Sequence, residues 1–262
     1  MLCRVGREAD RAFKFTMTTN LSVSQESTLY MSSHRSDLTS LAERYGSDKG
    51  DSDHQYTRLY DMLFAPRRDD ELNLLEFGLQ NHGPEIPGIS SDRELTSIAS
   101  IDMWLDYFPR ANVYGFDICD FSDFKRDRFR FIQGDQGKLE DIQGVLEACD
   151  SYDIIIDDAS HASYHQQLAF VTLFPHLRAG GLYIIEDLQW QGKVYEKGCR
   201  TSHKTRDLFA KFIKTGEFPK KTHPIERERF QALAKDINIV LMPNDNFNHW
   251  GKAKLAIIHK LA

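Results

Sequence analysis

Tyr152-Asp153-Ile154-Ile155-Ile156-Asp157-Asp158 is apolar almost throughout and closes on two acids. A run of that length without polar alternation predicts a strand buried on both faces, ending where the chain turns. The same grammar recurs on either side. Asn73-Leu74-Leu75-Glu76-Phe77-Gly78, Asn112 to Asp117, Phe129 to Ile132 and Leu182 to Asp187 all read as short buried strands. Helical spacing fills the gaps: Ile98 to Phe108 with Pro109 closing it, Leu139 to Ala148, and Gln166 to Leu177, the last expected to stop at Gly180-Gly181. Ile237 to Met242 and Lys254 to Ile258 follow as two closing strands. They are joined by the short polar loop Asn244 to Gly251, which favours an antiparallel pair. The expected architecture is α/β: a doubly wound, mostly parallel Rossmann-like sheet with an antiparallel C-terminal hairpin.

With 262 residues there is room for one elaborated domain, expected over 37–262. Residues 1–36 show little periodicity and are rich in Ser and Thr from Thr16 onward, which predicts a flexible arm, with an oligomerisation arm as the functional alternative. Helical spacing begins at Leu38, Leu41 and Ala42. The net charge of -6 lacks the basic footprint of a nucleic-acid binder. The cluster Arg227-Glu228-Arg229 reads as a solvated helix face. Four scattered cysteines suit reduced thiols, and no apolar run approaches membrane-spanning length. Charged residues follow Met1-Leu2-Cys3-Arg4 without a hydrophobic core, so the expected location is cytoplasmic, with neither nucleic acid nor membrane as partner.

Four of the five strands end in acids: Glu76, Asp117, Asp157-Asp158 and Glu186-Asp187, while Asp135 follows the remaining one. In an open parallel sheet these positions converge on the edge where ligands bind. Turn-forming and capping roles account for one or two such acids, less well for five. Adjacent acid pairs at two strand ends repel unless a cation joins them, so Asp158, Glu186 and Asp187 are a candidate hard-oxygen set for Mg²⁺ or a related ion. Zinc fits poorly, because no Cys/His cluster accompanies them. His161, three residues after Asp158, is placed to act as a general base, against the plainer reading of a helix-start residue. Asp117 stands where doubly wound folds hold a ribose diol, and Asp135 in Gly134-Asp135-Gln136 could meet an adenine amine. After Glu76-Phe77-Gly78 no G-x-G-x-x-G follows, which disfavours a dinucleotide.

Several stretches resemble one family when read together. They are Tyr45-Gly46-Ser47-Asp48-Lys49-Gly50, Met103 to Pro109, Tyr114 to Ile118, Gly134-Asp135-Gln136, Ile156 to His161, Leu173 to Leu177 and Gly180 to Leu188. In that order they are similar to the metal-dependent sugar O-methyltransferases whose members methylate deoxysugars on macrolide and aromatic polyketide antibiotics. The resemblance implies a class I methyltransferase fold and an enzyme using S-adenosylmethionine and Mg²⁺, expected as a homo-oligomer, on a small hydroxylated, sugar-bearing substrate. It implies metal binding by Asp158, Glu186 and Asp187, a catalytic role for Asp158 and His161, and cofactor contacts from Glu76, Gly78, Asp117, Asp135 and Gln136, with Asp157 expected as a further cofactor-binding residue. A Tyr or His from Tyr45 to Tyr60 is expected over the methyl donor. The acceptor side is expected along Trp190 to Thr205 and Phe218 to Phe230, with Trp190 and Tyr195 as stacking candidates; Phe247, His249 and Trp250 could reach the pocket or a second subunit.

The chain departs from the family in the turn Gly78-Leu79-Gln80-Asn81-His82, where the family carries more glycine, and in Ala159, where it favours Gly. Those departures leave two rivals. One is a related enzyme of hydroxylase, cyclase or rearrangement type; the other is a non-catalytic partner subunit.

Overall fold

The computed structural model describes residues 35–80, 96–190, 193–243 and 253–261. The chain divides into two units, Met1–Ser36 and Asp37–Ala262, and the sheet with its covering helices belongs to the second. Within it the parallel strands are β1 (Asn73–Phe77), β2 (Asn112–Asp117), β3 (Phe129–Gln133), β4 (Tyr152–Asp157) and β5 (Leu177–Ile185). β6 (Ile237–Pro243) and β7 (Ala253–Lys260) complete a sheet of order β3-β2-β1-β4-β5-β7-β6. β7 inserts between β5 and β6 and runs antiparallel to both, as the hairpin reading expects.

Neighbouring side chains along each central strand point to opposite faces, and each face is covered. Leu75, Ile155, Tyr183 and Ile185 enter one hydrophobic core, whereas Leu74, Ile154, Ile156 and Ile184 enter the other. The first is closed by α4 (Leu139–Ala148), α5 (Ser163–Leu173), α7 (Thr205–Thr215) and α8 (Arg227–Leu233). The second is closed by α1 (Leu38–Tyr45), α2 (Tyr56–Phe64) and α3 (Ala99–Tyr107). A short helix, α6 (Lys193–Gly198), follows β5. Burial on both faces is why the strands lack polar alternation. Each fully buried Leu, Ile or Phe contributes roughly 1.5–3 kcal/mol, so the doubled core carries most of the stability.

One boundary differs from the sequence expectation. The helix read as Gln166 to Leu177 ends at Leu173, a 3-10 turn covers Phe174–His176, and β5 starts at Leu177, running through Gly180-Gly181. Pro175 is the reason, since it lacks the N–H that a continuing helix needs. Asn244 to Gly251 lies outside the described residues, as does most of the arm over 1–36. Among the described residues no helix is long and apolar enough to cross a membrane, and Cys119, Cys149 and Cys199 form no disulfide.

Candidate active site

The strand order reverses between β1 and β4, and ligands bind at such a switch point. There Phe77 pairs with Asp157. The next residues stay tied to their neighbours: Gly78 N donates to Phe116 O (2.9 Å), Asp158 N to Phe77 O (3.0 Å) and Glu186 N to Asp157 O (2.9 Å). Three successive turns are thereby packed edge to edge. Gly78 has φ +81°, and a Cβ there would stand 2.3 Å from the Asp158 carbonyl oxygen and 2.6 Å from Ala159 Cα. The close approach demands glycine.

Asp158, His161 and Asp187 come together above this point, offering ligand atoms all within 4.8 Å of one another. His161 (φ 56°) and Asp187 (φ 53°) both adopt the left-handed backbone region that non-glycine residues rarely enter. His161 precedes α5 rather than belonging to it, and its Nε2 lies 3.9 Å from Asp187 Oδ2. Its Nδ1 is buried without a hydrogen-bond partner. Glu186 lies outside that set of three. It is fully buried, and Tyr60 OH donates to its Oε1 at 2.6 Å.

The segment leading into α2 completes the site. Gly46 (φ 73°) ends α1, and the loop folds on itself through His54 N to Asp48 O (2.9 Å), Gln55 N to Gly50 O (2.8 Å) and Thr57 N to Lys49 O (3.0 Å). It delivers four side chains to the acids. Lys49 Nζ contacts Asp158 Oδ2, Glu186 Oε2 (3.0 Å) and Glu76 Oε1 (3.5 Å). Tyr56 OH donates to Asp187 Oδ1, and Tyr60 OH to Glu186. His54 Nε2 is 4.0 Å from Asp187 Oδ2, with its ring stacked on Tyr56 at 5.3 Å.

Burial dominates the electrostatics. It raises the carboxyls of Asp158 and Glu186 above the ordinary range, with Lys49 opposing it at both. At Lys49 burial disfavours the charge, but Asp158, Glu186 and Glu76 outweigh it and hold the ammonium well above its usual value. Asp187 goes the other way: burial works against ionisation, yet His161, His54 and the Tyr56 hydroxyl pull its carboxyl down. An acid set with raised affinity for protons is one that a cation would relieve.

On the other side of Gly78, Glu76 is fully buried; its Oε2 accepts from Ser100 Oγ (2.8 Å) and Trp104 Nε1 (3.1 Å). Burial pushes its carboxyl up to about 7, against Lys49 and the Ser100 hydroxyl. Asp117 ends β2 and accepts from Leu79 N and Cys119 N, both at 2.8 Å, which folds the turns after β1 and β2 around one carboxylate. Gln136 Nε2 donates to Asp157 Oδ1 at 2.7 Å, while Asp157 Oδ2 is buried and unpartnered. Burial raises the Asp157 carboxyl to about 7, opposed by Gln136. Asp135 stays partly exposed, its Oδ1 accepting from Gly137 N at 2.8 Å.

No family model matches the chain. It is 38% identical over 164 residues to the mycinamicin VI 2''-O-methyltransferase of Micromonospora griseorubida, covering 61% of this chain and 39% of that protein. It is 40% identical over 171 residues to the 8-demethyl-8-alpha-L-rhamnosyl tetracenomycin-C 2'-O-methyltransferase of Streptomyces olivaceus, covering 63% and 42%. The crystallised MycE methyltransferase of the mycinamycin pathway, in complex with Mg, SAH and mycinamycin VI, superposes with TM-score 0.64 at 28% identity, over 93% of this chain and 60% of that one. The chain is similar to sugar O-methyltransferases. The family resemblance read from the motifs is borne out, and the fold is that of class I methyltransferases. The chain spans about two fifths of the length of these curated relatives.

Set beside those relatives, the structure brings Glu76, Gly78, Asp117, Asp157, Asp158, His161, Glu186 and Asp187 to the carboxyl edge of the sheet, where the strand-end reading puts them; Asp135 and Gln136 follow β3 on the same edge. Of the Tyr45 to Tyr60 segment, Lys49, His54, Tyr56 and Tyr60 reach the acids, while Tyr45 bonds Asp106 at 3.0 Å. Lys49 is the residue that sequence reasoning missed. A lysine in a polar loop looks solvent-exposed, and only its place in the matched stretch Ser47-Asp48-Lys49-Gly50 could have drawn attention to it. On the acceptor side Trp190 is 49% exposed, and its ring meets His161 edge-on at 5.2 Å. Phe218 and Phe230, which bound the other expected segment, are core residues packed in series with Phe212. The Tyr195 side chain, Phe247, His249, Trp250 and the turn from Asn81 to Gly88 lie outside the described residues.

Proposed function

We propose that this chain is an S-adenosylmethionine-dependent O-methyltransferase acting, with a divalent cation, on a hydroxyl of a sugar or glycosylated natural product. The observation that carries the reading is the convergence of Asp158, His161 and Asp187 at the β1/β4 switch point, one turn from Gly78 and Asp117. The donor set fits a hard cation: carboxylate oxygens predominate, and burial holds Asp158 and Glu186 in need of positive charge. Mg and SAH in the MycE complex, and the sugar hydroxyls that the relatives' names specify, point the same way.

Asp158, Glu186 and Asp187 would hold the cation, which when bound supplies Lewis acidity that lowers the pKa of a nearby hydroxyl. His161 takes the hydroxyl proton on Nε2, and Asp187 beside it stabilises the resulting imidazolium. Asp117 and Gln136 would orient the nucleoside part of the methyl donor, and Glu76 with Gly78 its amino-acid end. The donor's sulfonium methyl arrives already activated, so the chain's main contribution is alignment and exclusion of water. Trp190, edge-on to His161, would wall the acceptor side.

The test offers glycosylated polyketides together with methyl-labelled S-adenosylmethionine. Label should enter a sugar hydroxyl, turnover should stop with EDTA and return with Mg²⁺, and Asp158→Ala should lower kcat at least ~10³-fold. Turnover that survives complete metal removal would sink the metal-centred mechanism. Absence of label from every product would favour a rearrangement or cyclisation.

A further inference from the structure

Lys49 is 1% exposed, and its ammonium meets carboxylates from the ends of three adjacent strands, Glu76, Asp158 and Glu186. It is held there from both sides of its own backbone, by Lys49 N to Ser47 Oγ (3.4 Å) and Thr57 N to Lys49 O (3.0 Å). Burying an ammonium is costly and persists only with close opposite charges. Two of the three partners already have other donors, since Glu76 receives Ser100 and Trp104, and Glu186 receives Tyr60. Lys49 stands against the oxygens those donors leave, Glu76 Oε1 and Glu186 Oε2, and brings them a positive charge. It also joins two groups of residues that the mechanism keeps apart, with Glu76 on the methyl-donor side and Asp158 and Glu186 on the cation side.

We propose that Lys49 is a positioning residue, an internal counter-ion shared between the donor and cation half-sites, which sets how strongly the acids hold a divalent cation and makes that affinity depend on the donor site. The inference rests on the proposed cation reading. Its physical consequence has a definite sign. A fixed ammonium and a divalent cation draw on the same carboxylate charge, so removing the ammonium should tighten cation binding. Loss of a purely structural ion pair would instead loosen the acids and weaken it.

The experiment titrates Mn²⁺ into the full chain at pH 8, followed by its EPR signal, with and without S-adenosylhomocysteine. Lys49→Met, of similar length and no charge, should bind Mn²⁺ about tenfold more tightly or better. In the same variant, S-adenosylhomocysteine should no longer shift that affinity as it does in the wild type. A folded Lys49→Met with equal or weaker Mn²⁺ affinity overturns the inference. Should that variant fail to fold, Glu76→Gln carries the test. It leaves the whole Lys49 charge to Asp158 and Glu186 and should weaken Mn²⁺ binding; unchanged affinity overturns the inference. A wild type that does not bind Mn²⁺ overturns the proposed function as well. Wild-type binding with an unaltered variant overturns the role of Lys49 alone.

Discussion

Gly78 and the pair His161 and Asp187 show how single residues shape the site. Gly78 is a necessity of space as well as of dihedral angle, because a methyl group there would enter the Asp158 backbone. Gly78→Ala should cost about 3 kcal/mol, combining left-handed strain with overpacking, and should appear as a lower denaturant midpoint with unchanged slope. It should also separate the β1 and β4 turns and so weaken S-adenosylhomocysteine binding. His161 and Asp187 tolerate unfavourable backbone angles without the excuse of glycine. Two hydrogen bonds, Tyr56 OH to the Asp187 carboxylate and Trp190 N to Asp187 O (2.9 Å), hold Asp187 in that geometry. Strained backbone kept in place by its surroundings is common where a side chain must be aimed.

Among the elements, α2 matters most to the chemistry. Tyr56, Tyr60 and Phe64 recur every four residues and form one face, with ring centroids 6.0 and 5.4 Å apart, packed toward Trp104 of α3. That aromatic stripe is a core feature along most of its length. Only the hydroxyls of its first two rings reach the acids, so the helix docks by apolar contact and delivers two donors at the same time. Tyr60→Phe keeps the packing but strips a donor from fully buried Glu186. The expected loss is roughly 1–3 kcal/mol, read from urea unfolding, with cation affinity altered more than the secondary structure. Lys254 on β7 supports the same helix from the opposite direction, its ammonium 4.7 Å from the Tyr56 ring centroid and bonded to the His54 carbonyl. The inserted β7 strand is thus connected to the site through α2.

At the scale of the whole molecule, buried acids link stability to pH. Glu76 titrates near 7 in the folded protein, above the 4.5 ordinary for a glutamic acid, so the folded state binds its proton more tightly than the unfolded state does. Its contribution to stability therefore falls as pH rises from about 4.5 through 7 and is flat above, by on the order of 3 kcal/mol. Stability curves for the wild type and Glu76→Gln, both without cation, should diverge across that window. Parallel curves would show that the carboxyl titrates at its ordinary value. A divalent cation that binds only the folded chain should raise Tm in proportion to the logarithm of its concentration.

The sheet was legible because burial on both faces writes itself into uninterrupted apolar runs, and a strand-end acid stands out against them. Ile154-Ile155-Ile156 before Asp157-Asp158 predicted both the parallel strand and the edge where the acids gather. Family motifs carried the fold class and the likeness to sugar O-methyltransferases. The sequence by itself could not order the strands, place β7 between β5 and β6, or assign Phe218 and Phe230 to the core. Nor could it put Lys49 among the acids or set the Tyr60 hydroxyl against Glu186. Apolar periodicity is local and survives in one dimension. A buried charge is defined by its partners, and those of Lys49 lie 27, 109 and 137 residues away, where only the folded chain brings them within reach.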